Sequence, residues 1–402
     1  MNASDNLIVL AVGEIFLKRG NRRRFFAQLR KNAARAVRDL ELDVSEIHGR
    51  LVVHHREARL DDPAAENPPI PIEAALRRLQ WVFGVHSAMP GCQVPSDLRA
   101  IEEIAAEYLA RRIGSKPLRF RVDTRRPNKS FPMRSVDVNR EVGIAMFDRF
   151  PNLVLDLHEP ELTLHIELGQ ALSFIYRRRH PMGGGLPVGS SGKVLLLLSG
   201  GLDSPVAGYL AQKRGCQVEA LYFHSFPYIS DHAKEKVKEL AALLARGQGA
   251  IRLNVAPFTA IQEAIRDKAP NRQYVLLYRR FMLRIAEALA ERVEALALVT
   301  GEAISQVASQ TLQNMRCIEA VTRLPIIRPL VTYDKLEVVD LSRRLEMFEI
   351  STRPHDDCCS LFVARHPETK GRVEFLEQIE EGLDVEGLVA DALDRIEVFE
   401  FR

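Results

Sequence analysis

Val194-Leu195-Leu196-Leu197-Leu198-Ser199-Gly200-Gly201-Leu202-Asp203-Ser204 is the stretch that decides the fold of this 402-residue chain. Val194–Leu198 is apolar throughout and reads as a strand buried on both faces, the kind found in parallel sheets. The glycines and serines that follow make a tight turn, and Pro205–Arg214 reads as the helix it opens. Such a turn can curl backbone N–H groups around an anion at the positive end of a helix. It also stands at the carboxyl end of its strand, where open α/β sheets bind ligands. The turn is not a Walker A loop. Gly192-Lys193 is followed by Val194, and Pro187 stands where the first glycine would be. It also lacks the third glycine of a dinucleotide fingerprint. A glycine turn before a helix is often structural, but Asp203 is harder to explain that way. A carboxylate beside a phosphate cradle makes sense if a magnesium ion bridges them.

Strand and helix patterns keep alternating after this stretch. Val218–Phe223, Ile251–Val255 and Ala295–Thr300 read as strands, and Asp231–Ala245 and Gln273–Arg292 as helices. This alternation implies a doubly wound parallel sheet. An acidic tail, Glu374 to Glu400, reads as helical. Before the stretch the pattern differs. Residues 6–12 read as a strand. Phe25–Val37 reads as a basic helix with Phe26, Leu29, Ala33 and Val37 at helical spacing. Leu42–Val53 reads as strands around Gly49. Asp61–Pro71, with four prolines, reads as a long loop. Ile72–Leu79 and Leu98–Ile113 read as helices, and Leu118–Asp123, Leu153–Leu157 and Leu162–Leu168 as strands. Two small α+β units therefore precede residue 170, and glycine-rich residues 180–193 separate them from the α/β part.

Composition narrows the function classes. Hydrophobic residues make up 46% and charged residues 27%, which excludes a mainly disordered or collagen-like chain. No apolar run approaches the ~18 residues of a membrane span. Leu7–Val12 is too short for a signal-peptide core, so the expected location is the cytoplasm. The five cysteines include no C-x-x-C, which argues against a zinc ribbon. The net charge of +3 hides an asymmetry: 29 Lys+Arg face 23 Asp+Glu up to residue 192, and 27 face 30 beyond it. The cations cluster at Lys18–Arg38, Arg111–Arg134 and Arg177–Arg179. Each cluster could be a solvated face, but three in one half of the chain point to a polyanion such as RNA.

The hexapeptide Ser199–Ser204 resembles the PP-loop of N-type ATP pyrophosphatases, which adenylate a carbonyl oxygen and release pyrophosphate. Gly13-Glu14-Ile15-Phe16-Leu17-Lys18 with Asn21-Arg22-Arg23-Arg24-Phe25 resembles the N-terminal ferredoxin-like domain of tRNA 4-thiouridine synthetases, the ThiI family of tRNA sulfurtransferases. Phe120-Arg121-Val122-Asp123 with Arg125, then Lys129-Ser130-Phe131-Pro132 and Ser135, resembles the RNA-binding THUMP domain. Val154-Leu155-Asp156-Leu157 with Pro160-Glu161 continues that likeness. The resemblance spans essentially the whole chain. It implies a ferredoxin-like domain at 1–60, a THUMP domain at 61–170, a linker at 171–192 and a PP-loop ATP pyrophosphatase domain at 193–402.

The resemblance also implies site residues. ATP would meet Leu197, Leu198, Ser199, Gly200, Gly201, Ser204, Tyr222, Phe223, Arg279, Gly301 and Gln310. Asp203 would organise Mg2+, and Lys335 would neutralise phosphate. Without the resemblance, Arg279, Arg280 and Arg284 could be an exposed helix stripe, and Lys335 an ordinary helix-start lysine. Lys18, Arg22, Arg24, Lys129 and Arg134 would contact tRNA phosphates, and Phe131 is either an RNA contact or a core aromatic.

The sulfur chemistry points to His355-Asp356-Asp357-Cys358-Cys359-Ser360, since thiolates carry sulfur as persulfide. A vicinal disulfide or a chance pair is the alternative. Cys359 matches the family's catalytic cysteine best by the residues after it, and Cys358 stays in play. Cys92 and Cys216 read as small structural residues. The implied reaction converts uridine 8 of tRNA to 4-thiouridine through an adenylated base. The chain ends at Arg402, without the rhodanese domain of some family members. Sulfur is then expected straight from a cysteine desulfurase or another donor. A sulfur-carrier protein of thiamine thiazole synthesis and a second copy of the chain are further partners that the resemblance allows. Two rivals are a different PP-loop synthetase acting on tRNA or a small molecule, and a non-catalytic tRNA-binding protein. The basic N-terminal half argues against a small-molecule substrate. The intact loop and the cysteine pair argue against loss of catalysis.

Overall fold

A computed structural model describes every residue except 1–4, 18, 63, 64, 66, 111, 112, 128, 355–360, 363 and 365, and leaves aside the side chains of 16, 17 and 19. The chain divides into residues 1–186 and 187–402.

In the first unit, β1 (Leu7–Val12), β2 (Leu42–Ile47) and β3 (Arg50–His55) lie in the antiparallel order β2-β3-β1. Helices α1 (Arg22–Val37) and α2 (Ile72–Leu79) pack on them. Phe26, Leu29, Ala33 and Val37, which the sequence spaces at helical intervals, are buried in this core with Ala75 and Leu79. The next strand, β4 (Val85–Pro95), extends the sheet in both directions. Its first half pairs with β1 and its second half with β8 (Leu172–Tyr176), and Gly91 is in register with both Leu7 and Tyr176. A Cβ at Gly91 would lie 2.1 Å from the Ile175 carbonyl oxygen, so this shared point requires glycine. Beyond β8 lie β7 (Leu162–Glu167), β5 (Leu118–Arg125) and β6 (Leu153–Leu155), while β9 (His180–Pro181) pairs with β4. Helices α3 (Leu98–Ala110) and α4 (Ser135–Arg149) cover this half through Ile101, Ala105, Tyr108, Val138, Val142 and Met146.

The result is one nine-stranded sheet, where the sequence reading set two domains meeting at residues 60 and 61. Ile70, Leu79, Val82, Val85 and Ala88 share a core with β1–β3, and β8 runs fully buried through the stretch read as a linker. Pro90 and Gly91 broke the strand pattern of β4 and concealed the join. Phe131 is a core residue, packed with Phe120 and Val138.

In the second unit, β10 (Lys193–Leu197) leads through α5 (Asp203–Lys213) to β11 (Gln217–His224). From there α6 (Asp231–Gln248) leads to β12 (Ile251–Pro257). Helices α7 (Thr259–Lys268) and α8 (Tyr274–Arg292) carry the chain back across β10 to β13 (Leu298–Val299). Then α9 (Leu312–Glu319) precedes β14 (Ile326–Ile327). The strand order is β14-β13-β10-β11-β12-β15, and β10 to β14 pair in parallel. The winding reverses between β10 and β13, and such a reversal opens a crevice at the strands' carboxyl ends.

The rest of the chain wraps this sheet as α10 (Lys335–Arg344), α11 (Phe348–Ser351), α12 (Val373–Glu380) and α13 (Val385–Asp394). It closes with β15 (Glu397–Phe401). The tail is therefore not helical to its end: β15 pairs antiparallel with β12 along the sheet's edge. Glu-Val-Phe-Glu-Phe alternates with the period of a strand, a short signal outweighed by the acidic composition around it.

Candidate active site

Ser199 to Ser204 bridges β10 and α5, and its two serines close it. The Ser199 backbone N–H donates to the Ser204 hydroxyl at 2.8 Å, and the two hydroxyls stand 3.0 Å apart. The Gly201 N–H donates to the Ser199 hydroxyl at 3.3 Å. The beginning of α5 rests directly on the end of β13. A Cβ at Gly301 would lie 2.6 Å from both the Asp203 carbonyl carbon and the Ser204 nitrogen, so only glycine fits there.

A cavity of about 230 Å³ opens at this reversal point. Leu197, Leu198, Ser199, Gly201, Asp203 and Ser204 line it from the loop side, Tyr222 and Phe223 from β11, and Arg279 and Met282 from α8. Thr300, Gly301, Glu302, Gln306, Val307 and Gln310 complete the wall. The structure thus gathers into one cavity every residue expected to meet ATP except Gly200, which lies beside it in the loop. Gln310 is buried, and its Oε1 has no hydrogen-bond partner among the described residues.

Charge is arranged in two groups around this cavity. Asp203 accepts from Lys335 Nζ at 2.8 Å and from Gln306 Nε2 at 2.9 Å. Lys335 is the first residue of α10, whose start is fixed by a capping box between Asp334 and Glu337. The second group centres on buried Glu302, which accepts from Arg279 at 3.1 Å, Arg328 at 2.8 Å and the Thr300 hydroxyl at 2.9 Å. Burial pushes the Glu302 carboxyl up, but Arg279, Arg328 and the Thr300 hydroxyl outweigh it, and the net shift is downward. The arginines of α8 therefore do not form an exposed stripe. Arg279 turns to the cavity, while Arg280, 1% exposed, grips the Glu380 carboxylate with two bonds. Arg284 shares that carboxylate, which pins α12 to α8.

The expected persulfide carriers Cys358 and Cys359 lie outside the described residues, as does Lys18. The chain on either side of the cysteine segment is described. The Ser351 hydroxyl donates to the Gly201 carbonyl at 3.2 Å, and Lys236 Nζ donates to the Arg353 carbonyl at 3.0 Å. On the far side, the Phe362 ring meets Tyr228 edge-on at 5.0 Å. Cys92 and Cys317 are buried, and burial pushes the Cys216 and Cys317 thiols up.

Sequence reasoning did not single out Glu302, Gln306, Arg328 or Lys236 as site residues. Lys236 left a readable signal, because it interrupts the apolar side of α6 formed by Ala233, Val237, Leu240 and Leu244.

In the first unit, Arg22 and Arg24 are exposed on the first turn of α1. Lys129 is exposed on the rim of a separate cavity with His48, Arg50 and Gln170, and Arg134 is exposed but paired to Asp137 at 2.9 Å. The second basic cluster is partly neutralised, since Arg119 faces Asp156, Glu159 and Glu161 within 3.6 Å.

Residues 7–88 match the ThiI ferredoxin-like domain, 95–177 the THUMP domain, and 189–385 the family described as thiamine biosynthesis protein (ThiI). A probable tRNA sulfurtransferase of Moorella thermoacetica is 44% identical over 97% of this chain and 96% of its own length. One of Brevibacillus brevis is 42% identical over 98% and 96%. A crystal structure of a 4-thiouridine synthetase–RNA complex with bound ATP superimposes with a TM-score of 0.87, at 32% identity over 99% of this chain and 100% of that one. Likeness of this depth from end to end shows that the chain belongs to the ThiI family of tRNA sulfurtransferases.

Proposed function

We propose that the chain uses ATP to replace O4 of uridine 8 in tRNA by sulfur, giving 4-thiouridine. The observation that carries this reading is the attachment of the cysteine-bearing segment to the nucleotide loop. Ser351 binds Gly201, and Lys236 holds the Arg353 carbonyl. Cys359 follows Arg353 by six residues, at most about 20 Å of extended chain. A thiolate on this segment and a base activated at the loop therefore fall within reach of one another.

In this reading the adenosine part of ATP occupies the cavity, where the main chain of Tyr222 and Phe223 reads the adenine edge. Loop N–H groups and the start of α5 hold phosphate. Uridine O4 attacks the α-phosphorus, pyrophosphate leaves, and N3 gives up a proton that it later regains. The terminal sulfur of a persulfide on Cys359 attacks C4, and AMP leaves with the former O4. A second thiolate, Cys358, attacks the Cys359 sulfur, forms a disulfide with it and releases the thiocarbonyl. A cellular dithiol then reduces the pair. Positioning and fixed charge supply most of the rate.

Mg2+ is part of the proposal. It binds through one or two carboxylates plus phosphate and water. Asp203 supplies a carboxylate at the loop, and among the described residues no three metal-ligating side chains gather into a self-sufficient site. That donor set fits an ion arriving with the nucleotide, where it would neutralise phosphate charge.

Lys18, Arg22, Arg24, Lys129 and Arg134 would contact phosphates of the folded tRNA, which position the RNA without reading its sequence. A cysteine desulfurase would donate the sulfur, and a sulfur-carrier protein for thiamine thiazole synthesis would be a second acceptor. The setting is the cytoplasm; among the described residues no helix is long and apolar enough to cross a membrane. The test is nucleoside analysis of tRNA from a strain lacking the gene. Loss of 4-thiouridine, and its return when the chain is restored, is expected. An unchanged 4-thiouridine level in the deletion strain would sink the reading.

A further inference from the structure

Glu302 is a buried carboxylate in the wall of the nucleotide cavity, 4% exposed, and its two oxygens have different partners. Oε2 accepts from Arg328 Nε at 2.8 Å and from the Thr300 hydroxyl at 2.9 Å, whereas Oε1 accepts from Arg279 Nη1 at 3.1 Å. The partners of Oε2 belong to fixed parts of the fold. Thr300 directly follows β13, and Arg328 is tied in turn to Glu319 of α9 at 2.5 Å. The main chain just before Glu302 is fixed as well, since Gly301 presses on the start of α5 with no room for a Cβ. Arg279, the partner of Oε1, comes from α8 and lines the same cavity, with 23% of its side chain exposed. Glu302 thus joins an anchored wall to a long cationic side chain at the cavity.

Ordering a long side chain when a ligand binds weakens affinity, and a partner that holds the side chain beforehand removes that loss. We propose that Glu302 is a positioning residue, which holds the Arg279 guanidinium at the cavity so that bound ATP meets it already ordered. The assignment rests on the reading of this cavity as an ATP site. Its consequence is opposite in sign to that of charge alone. Removing a negative charge from a wall that faces an anion would tighten binding of the anion. Releasing Arg279 from its holder would weaken it. A purely structural Glu302 would alter stability and leave ATP affinity where it was.

The test measures equilibrium binding of ATP to the full chain, for the natural protein, Glu302→Gln and Glu302→Asp. Aspartate keeps the charge and draws the carboxylate back by one methylene, and it carries the test if the glutamine variant fails to fold. Each variant should bind ATP roughly three- to tenfold more weakly, the scale for ordering one long side chain on binding. Arg279→Gln should weaken binding as well. In that background a change at Glu302 should add less than about twofold, because a residue that acts through another has no separate effect once the other is gone. Glu380→Gln is the control for stability. It too removes a buried carboxylate held by arginines of α8, but Glu380 does not line the cavity, so ATP affinity should stay within about twofold. Unchanged or tighter ATP binding in either Glu302 variant would overturn the assignment. A full further loss in the double variant would overturn it too, since Glu302 would then act apart from Arg279. An equal loss in Glu380→Gln would assign the effect to stability instead. If the natural protein bound no ATP, the nucleotide reading of the cavity would fail first, and this assignment with it.

Discussion

Lys335 Nζ stands 2.8 Å from Oδ1 of Asp203, joining the first residue of α10 to the first residue of α5 across 132 positions of sequence. Both side chains are partly open to solvent, so the contact contributes little to stability. In the proposed reaction it serves to set a cation and a carboxylate at fixed places beside the loop.

Asp203→Ala should abolish sulfur transfer, and Lys335→Met should slow it roughly a hundredfold, the scale for losing one fixed charge at a reacting centre. Neither should change tRNA affinity more than about twofold, since both residues lie in the second unit. Filter binding and single-turnover thiolation check this together. Parallel losses in both assays would break the division of labour.

The two cysteines should not be equivalent. Cys359→Ser is expected to eliminate 4-thiouridine formation, because a hydroxyl cannot carry persulfide sulfur, and Cys358→Ser only to weaken it, because the free cysteine of the assay can attack the Cys359 sulfur more slowly in its place. The assay is single-turnover transfer to a tRNA transcript with a desulfurase, cysteine and ATP. Full activity in Cys359→Ser with none in Cys358→Ser would reverse the roles.

tRNA affinity should fall steeply with salt. Neutralising about 4–6 phosphates gives a log–log slope near −4 to −5. Arg24→Gln, on the exposed first turn of α1, should lower that slope by about one. A slope close to zero would make the basic clusters plain solvated surface.

Glu302 should make the second unit sensitive to acid. Its folded carboxyl titrates below the ordinary value of 4.5, so its contribution is present above that value and fades as pH falls through the lower, folded one. Glu302→Gln should cost about 3–5 kcal/mol at neutral pH, because it leaves Arg279 and Arg328 facing an uncharged amide. It should also flatten the loss of stability below pH 4.5, measured as urea midpoints against pH. Glu380 titrates in the same direction, and Glu380→Gln should remove a further part of that loss.

Much of the α/β unit, and helix α1 of the first unit, was legible in sequence because the signals are local. Apolar strands, the glycine turn and the helical spacing of α1 each sit within a few residues. What stayed hidden depends on distant partners. β4 carries Pro90 and Gly91 and becomes a strand only because β1 and β8 both pair with it. Helix α4 exposes Val136 and Ile144 while burying Val138, Val142 and Met146, which blurs its periodicity. Glu302 could be placed at a strand end from sequence, but its two arginine partners come from α8 and from the chain just after β14. Arg119 looked like a free cation until three carboxylates from another segment surrounded it.

The strand that passes through Gly91 serves both halves of the first unit, and this makes that unit a gauge. Two α+β lobes on a flexible tether would adjust to any spacing of phosphates. Here the interval from Arg22 and Arg24 on α1 to Lys129 and Arg134 is spanned by backbone hydrogen bonds along β1, β4 and β8. If these cations meet phosphates as proposed, an RNA must bring its own backbone to that interval or forgo one set of contacts. Selection among RNAs would then work by measurement: a stem shortened or lengthened by one base pair is expected to bind more weakly for its dimensions, whatever its sequence.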